Sequence, residues 1–337
     1  MLSNALKGKR ILDFSLLLPG PLATDLLAKM GAEVIKIEHP SKLDETRHYP
    51  PFKNGEALLY TMLNATKKSI IIDYRSKEHR PQILQMIREA DILVEQFRPE
   101  VMQRWGLAYE DLKKVNPNLI YISLTGYGQK GPYALKAGHD LNYLACTGVL
   151  DLIRDERGKP VIPGVQIADV AGGSYMLVTA CLAALVEGKG QYIDIAMLDG
   201  VAPLLTFPYA QLLGGVNPQE IRLLNGGLVN YNVYPCKGGQ WVALGALEVR
   251  FWNRFCLAVE KPDWQREHFG ELSTSVFAYD LVEALFLTKT REEWADWAAE
   301  KDVCLSPVLT LEEVPKDAQI KARAYYNTPD SIQLPWL

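Results

Sequence analysis

The chain reads as an α/β protein, a parallel sheet accompanied by a second, smaller α+β domain, and three observations predict it. Short apolar runs alternate with helical segments through the first third. A long apolar helix and one more strand follow, over about residues 169 to 196. Beyond about residue 225 the pattern turns to a hairpin and two helices. At 337 residues the chain exceeds one small core, and the usual length prior gives roughly two domains.

Taken in order, Arg10–Phe14 predicts a strand, Pro21–Met30 a helix stopped by Gly31, and Glu33–Glu38 a second strand. Ser69–Tyr74, Ile92–Phe97 and Leu119–Leu124 predict further strands, with helices over about 76–90 and 107–115 between them. Such alternation favours parallel strands with helices on both faces, a Rossmann-like arrangement. No GxGxxG follows the first strand, where Leu18-Pro19-Gly20-Pro21 stands instead, so a dinucleotide is not expected there. Asp169–Glu187 predicts the strongest helix, ended by Gly188, and Gln191–Ala196 a strand. Pro203, Pro208, Gly214, Gly215 and Pro218 mark a linker. Val229–Tyr234 and Trp241–Leu244, joined by Lys237-Gly238-Gly239, predict a hairpin, followed by helices near 249–259 and 290–299.

A hydrophobic content of 48% with 23% charged residues is ordinary for a soluble globular protein. The formal net charge of −4 gives no electrostatic reason to expect nucleic acid. Cys146, Cys181, Cys236, Cys256 and Cys304 lack CxxC or CxxH spacing and read as reduced thiols of a cytoplasmic protein, with no metal site. Asp13 interrupts the apolar stretch after Lys7, so that stretch reads as a strand and not a signal peptide. No uncharged run reads as long enough to span a membrane.

Three strings carry titratable groups beside small or apolar residues: Gly138-His139-Asp140, Asp169 before Val170-Ala171-Gly172-Gly173, and Gly245-Ala246-Leu247-Glu248. Burial and neighbouring charge can tune a pKa in such settings. Together they could supply two proton-transfer groups and a carboxylate that orients the imidazole. Each also has a plainer role. Asp169 could simply cap its helix, His139 could be structural, Asp140 could orient His139 or cap the segment after it, and Glu248 could be an exposed loop carboxylate. At a helix start, Asp169 could act as base or as acyl-group nucleophile. Lys67, Lys68, Arg98 and Arg104 fall at or beyond the ends of predicted sheet elements, where ligands of open α/β sheets bind; solvated surface charge is the alternative.

Further strings extend the pattern: Leu17–Pro21 with Gly31–Glu38, Glu95–Pro99, Gly126–Pro132, Gly138–Tyr143, Ala168-Asp169 and Gly188–Asp194. In this order and spacing the chain resembles the class III CoA-transferase (CaiB/BaiF-like) family, over about residues 7 to 255. The resemblance implies an acyl-CoA thioester as substrate, no separate cofactor, and an interlocked homodimer. It implies a large CoA-binding domain over 1–205, a linker over 206–224, a small domain over 225–312, and a return to the large domain over 313–337. In transferases of the family the residue matching Asp169 is the nucleophile that forms acyl anhydrides. In its racemases the residues matching His139 and Asp169 exchange the α-proton, and the one matching Glu248 supports the histidine. Arg98, Arg104, Lys67 and Tyr143 become candidates for holding CoA.

The His139 and Glu248 strings together, and Leu224–Tyr234, are similar to the racemase branch. No run of four glycines of the kind found in formyl-CoA transferase is present, and Val249 stands where racemases commonly have proline. The expectation is a racemase or epimerase of 2-methyl-branched acyl-CoA thioesters, with N–H groups at the start of the Asp169 helix helping to stabilise the enolate oxygen. The alternative is a CoA transferase using Asp169 as nucleophile. A non-catalytic CoA-thioester-binding protein is a remote third reading.

Overall fold

The computed structural model describes residues 2–155, 157–218, 221, 223–268, 276–325 (276–278 by backbone) and 336. The chain divides into two units, Met1–Thr206 with Gln319–Leu337, and Phe207–Ala318. The expected linker 206–224 begins as a helix, Thr206–Leu213, and residues 219, 220 and 222 within it lie outside the described residues. Of the expected C-terminal return, 326–335 and 337 also lie outside them, while the Trp336 carbonyl accepts the Leu2 N–H at 3.0 Å.

The first unit holds β1 (Arg10–Asp13), β2 (Glu33–Glu38), the short hairpin β3 (Phe52–Lys53) and β4 (Glu56–Ala57), β5 (Lys68–Ile71), β6 (Ile92–Glu95), β7 (Ile120–Thr125) and β8 (Gln191–Ala196). Six of them form one sheet in the order β5-β2-β1-β6-β7-β8, every pair parallel. This is the doubly wound arrangement that the alternation predicts. β6 and β7 are buried throughout, as central strands covered on both faces must be, whereas β5 at the edge is largely exposed. The helices are shorter than the sequence suggests: Arg80–Arg88 for 76–90 and Tyr109–Leu112 for 107–115.

Strand order reverses between β1 and β6, and the loops leaving these two strands meet where the Gln96 side-chain carbonyl accepts the Gly20 N–H at 3.2 Å. The helix after β1, Pro19–Lys29, has few donors to offer a phosphate. Pro19 and Pro21 have no N–H, Gly20 is spent on Gln96, and Leu22 donates to the Leu18 carbonyl.

Beneath this reversal lies a buried ionic cluster. Lys36 donates to Asp44 at 2.9 Å and to the Ser15 carbonyl at 2.9 Å. Burial alone would raise the Asp13 carboxylate, but Lys67, Lys36, Ser15 and Thr24 outweigh it and hold its pKa at about 2.

The second unit carries β9 (Tyr231–Pro235), β10 (Trp241–Gly245) and β11 (Leu305–Pro307), an antiparallel sheet in the order β11-β10-β9. β9 and β10 are the predicted hairpin. β11 was not legible: it is three residues long and contains a proline, tolerable because the strand lies at the edge. Helices Val249–Ala258, Val276–Phe286 and Arg291–Ala299 flank this sheet, over a core that includes Trp252, Phe255, Phe286 and Trp294. Thr290 caps the last of these, accepting from Glu293 N–H while the Glu293 carboxylate accepts from Thr290 N–H at 2.8 Å.

Candidate active site

Ala168–Glu187 forms one continuous helix, and its first eight residues, Ala168–Tyr175, are π-helical. Wide π turns are uncommon and concentrate at functional sites. Close backbone approach shapes this one. A Cβ on Gly172 would lie 2.4 Å from the Met197 carbonyl oxygen, and one on Gly200 would lie 2.1 Å from the Gly172 carbonyl oxygen. Only glycine at both positions lets Met197–Val201 lie against the helix start. By length and composition this 20-residue helix is apolar enough to cross a membrane, although Asp169 and Glu187 lie within it. It packs on the parallel sheet through Leu177, Val178, Cys181 and Ala184.

Asp169 therefore sits inside the helix rather than capping it. Its N–H donates to Asp140 Oδ1 at 3.0 Å, and the Val170 N–H donates to the Gln166 carbonyl at 3.1 Å. Both donors are occupied, so the N–H groups of Asp169 and Val170 are not the ones that could face an enolate oxygen. Asp169 is half-buried, and burial, with the nearby Asp140 charge, pushes its pKa up to about 6, while His139 pulls it the other way.

His139 is exposed and extended, immediately before the helix Asp140–Thr147, and its N–H donates to Asn142 Oδ1 at 3.0 Å. The expected CoA contact of Tyr143 is corrected, because the side chain is buried and its phenol donates to the Gly138 carbonyl at 2.6 Å. Its side chain passes so close to the chain that a Cβ would lie 2.3 Å from the phenol oxygen at Gly126 and 2.8 Å from the ring at Gly138. Tyr127 meets it edge-on, with centroids 5.1 Å apart. Tyr143 thus fixes the peptide that presents His139, and its pKa is raised by burial and by Asp169.

Lys67 is a second correction. Its side chain is 1% exposed, and its ammonium donates to Pro21 O at 2.8 Å, Asn64 Oδ1 at 3.0 Å and Asp13 Oδ2 at 3.1 Å. All three donors serve the fold, so none is left for a phosphate. Arg98 and Arg104 are exposed, and their guanidinium groups make no hydrogen bond to the described residues. Arg104 ends the short helix Val101–Arg104. Glu248 belongs to the second unit, exposed where the chain leaves β10, directly before the helix Val249–Ala258. All five cysteines are free.

The contact that sequence reasoning missed is Asp140 to Asp169, across 29 residues. It joins a histidine-bearing helix start to a carboxyl group poised near neutrality, so the fold and site together define an α/β enzyme equipped for proton transfer or nucleophilic attack. The model of CoA-transferase family III matches residues 6–333. The chain belongs to that family, whose members here are named as acyl-CoA racemases or CoA-transferases. It is similar to α-methylacyl-CoA racemase from Homo sapiens, 32% identical over 340 residues covering 97% of this chain and 83% of the relative. It is equally similar to succinate–glutarate CoA-transferase from Agrobacterium fabrum, 31% identical over 335 residues covering 94% and 83%. Among solved structures, a CaiB/BaiF family protein from Brucella suis superposes with a TM-score of 0.80 at 29% identity, covering 95% of this chain and 88% of that one.

Proposed function

We propose that the protein racemises 2-methyl-branched acyl-CoA thioesters by exchanging the α-proton between Asp169 and His139. The observation that carries this reading is the Asp169 carboxyl group, raised to about 6 by burial and Asp140, with a histidine close enough to act on it electrostatically. A base works best with a pKa near the working pH, and this carboxylate is tuned in that direction. The thioester carbonyl acidifies the α-carbon. One group removes its proton from one face, the electron pair moves onto the thioester oxygen, and the other group returns a proton to the opposite face. No redox change and no leaving group are involved, and CoA enters only as part of the substrate. The reading carries with it Glu248 as support for His139, Arg98 and Arg104 as CoA ligands, and a homodimeric, cytoplasmic enzyme.

A second reading is supported by the near-equal similarity to glutarate CoA-transferases. There Asp169 attacks the thioester carbonyl, CoA leaves as thiolate, and an aspartyl anhydride forms. The deciding experiment incubates a 2-methylacyl-CoA in heavy water without an acceptor acid. Deuterium at the α-carbon, with loss of optical purity, supports the racemase. CoA exchange into a free carboxylate without α-exchange overturns it in favour of the transferase.

A further inference from the structure

On the sheet face over β6, β7 and β8 lies a cavity of about 510 Å³, lined by Glu95, Arg98, Tyr109, Tyr121, Gln129 and Tyr192 among others. Glu95 and Gln129 lie on its floor. The Glu95 side chain is nearly fully buried, accepting the Ser123 hydroxyl and, at 2.7 Å, the Phe97 N–H, with no cation bonded to it among the described residues. Gln129 donates to Ser123 Oγ at 2.6 Å and, through its backbone N–H, to the Asp194 carboxylate at 3.0 Å. Three aromatic rings stand against this floor: Tyr109, Tyr121 and Tyr192 have centroids 5.7 to 6.0 Å apart. One ring face in the cluster already takes a cation, since the Lys113 ammonium lies 5.6 Å from the Tyr109 centroid. Neither Asp169 nor His139 lines this cavity.

We propose that this cavity binds the guanidinium group of a small molecule, paired with Glu95 and stacked against the tyrosine rings. A guanidinium is planar, pairs with a carboxylate through two parallel N–H bonds, and is weakly hydrated enough to lie on an aromatic face. A buried carboxylate without a cation is costly, and a matched cation relieves that cost. The proposal is independent of whether the enzyme is a racemase or a transferase.

Burial raises Glu95 to about 7, with Asp194 adding to the shift. The charged and titratable groups around it are Tyr121 on β7, Tyr192 and Asp194 on β8, Arg98 and Glu100 after β6, Tyr109 and Glu110 on the helix Tyr109–Leu112, and Lys130 on the loop after β7. Binding a cation must displace the Glu95 proton below neutrality. Affinity should therefore fall as pH drops, by about thirtyfold between pH 8 and pH 5.5 for a group titrating at about 7.

The test is calorimetric titration of the full chain with n-butylguanidinium, and with neutral n-butylurea as the isosteric control. The expected result is guanidinium binding at pH 8 with that pH dependence, and at least tenfold weaker, pH-independent binding in Glu95→Gln. If Glu95→Gln does not fold, Tyr192→Leu, at the exposed edge of the cavity, should weaken binding while keeping the pH dependence. Equal binding of n-butylurea, or a pH dependence centred in the ordinary carboxylate range, overturns the proposal. So does a drop in sedimenting mass on adding the guanidinium, which would mean that the site holds an arginine of a second copy.

Discussion

The Asp140 carboxylate accepts the backbone N–H of Asp169 at 3.0 Å, and its charge helps keep the Asp169 carboxyl protonated to higher pH than an ordinary aspartate. Asp140→Asn keeps an oxygen to accept that bond and removes the charge. Burial, the larger cause, remains, so the Asp169 pKa should fall only part of the way back. The expected outcome is an acidic limb of the pH–rate profile displaced to lower pH, with KM for the acyl-CoA little changed. An unmoved limb would mean that Asp140 serves only as a hydrogen-bond acceptor.

The same shift has a stability consequence. Asp169 titrates at about 6 in the fold against 3.8 ordinarily, so the folded state holds the extra proton between those values. Stability contributed by this group is thus present at low pH and lost as pH rises toward 6. Asp169→Asn should abolish turnover. It should also melt higher than the parent protein at neutral pH, by about 1 kcal/mol after allowing for solvent screening, and no higher at acid pH. Thermal melts at both ends of the range check this.

His139→Ala separates the two chemistries. Loss of a positioned acid or base should slow α-proton exchange by about 10² to 10⁴. Acyl transfer through Asp169 alone should survive far better. Near-normal deuterium incorporation by the variant would remove the racemase reading.

Much of this was legible because local chemistry and fold coincide. Apolar runs such as Ile92–Glu95 and Ile120–Thr125 give central strands. The Asp140–Asp169 contact was not legible, since it depends on how a π-helical turn seats one helix start against another. Lys67 was misread for a related reason. A lysine beside a strand looks like a phosphate ligand until β1 supplies a buried Asp13 that claims it. The third strand of the small sheet was hidden because Leu305–Pro307 has neither the length nor the pattern of a strand.

Lys67→Met tests that structural role. The substitution keeps the aliphatic stem but leaves Asp13 buried without one of its two cations. Removing one partner of a buried ion pair typically costs about 3 to 5 kcal/mol. The remaining Lys36 makes the lower end of that range the expectation, read as a fall in denaturation midpoint at unchanged slope. A fully stable variant with a raised KM would restore Lys67 as a CoA ligand.

Arg104 is exposed at the end of the helix Val101–Arg104, and its guanidinium makes no hydrogen bond to the described residues. Arg98 is exposed as well, but it also lines the Glu95 cavity. CoA carries a 3′-phosphate and a pyrophosphate, both far from the α-carbon, so contacts to them contribute alike in the ground and transition states. Arg104→Ala should therefore raise KM for an acyl-CoA with a smaller effect on kcat, and the loss should shrink as salt screens the attraction. The comparison that isolates the contact uses an acyl-pantetheine thioester, which keeps the reacting carbon and lacks the nucleotide. The variant should handle that substrate as the parent does. Equal damage to both substrates would show that Arg104 acts through the fold and does not touch the phosphates.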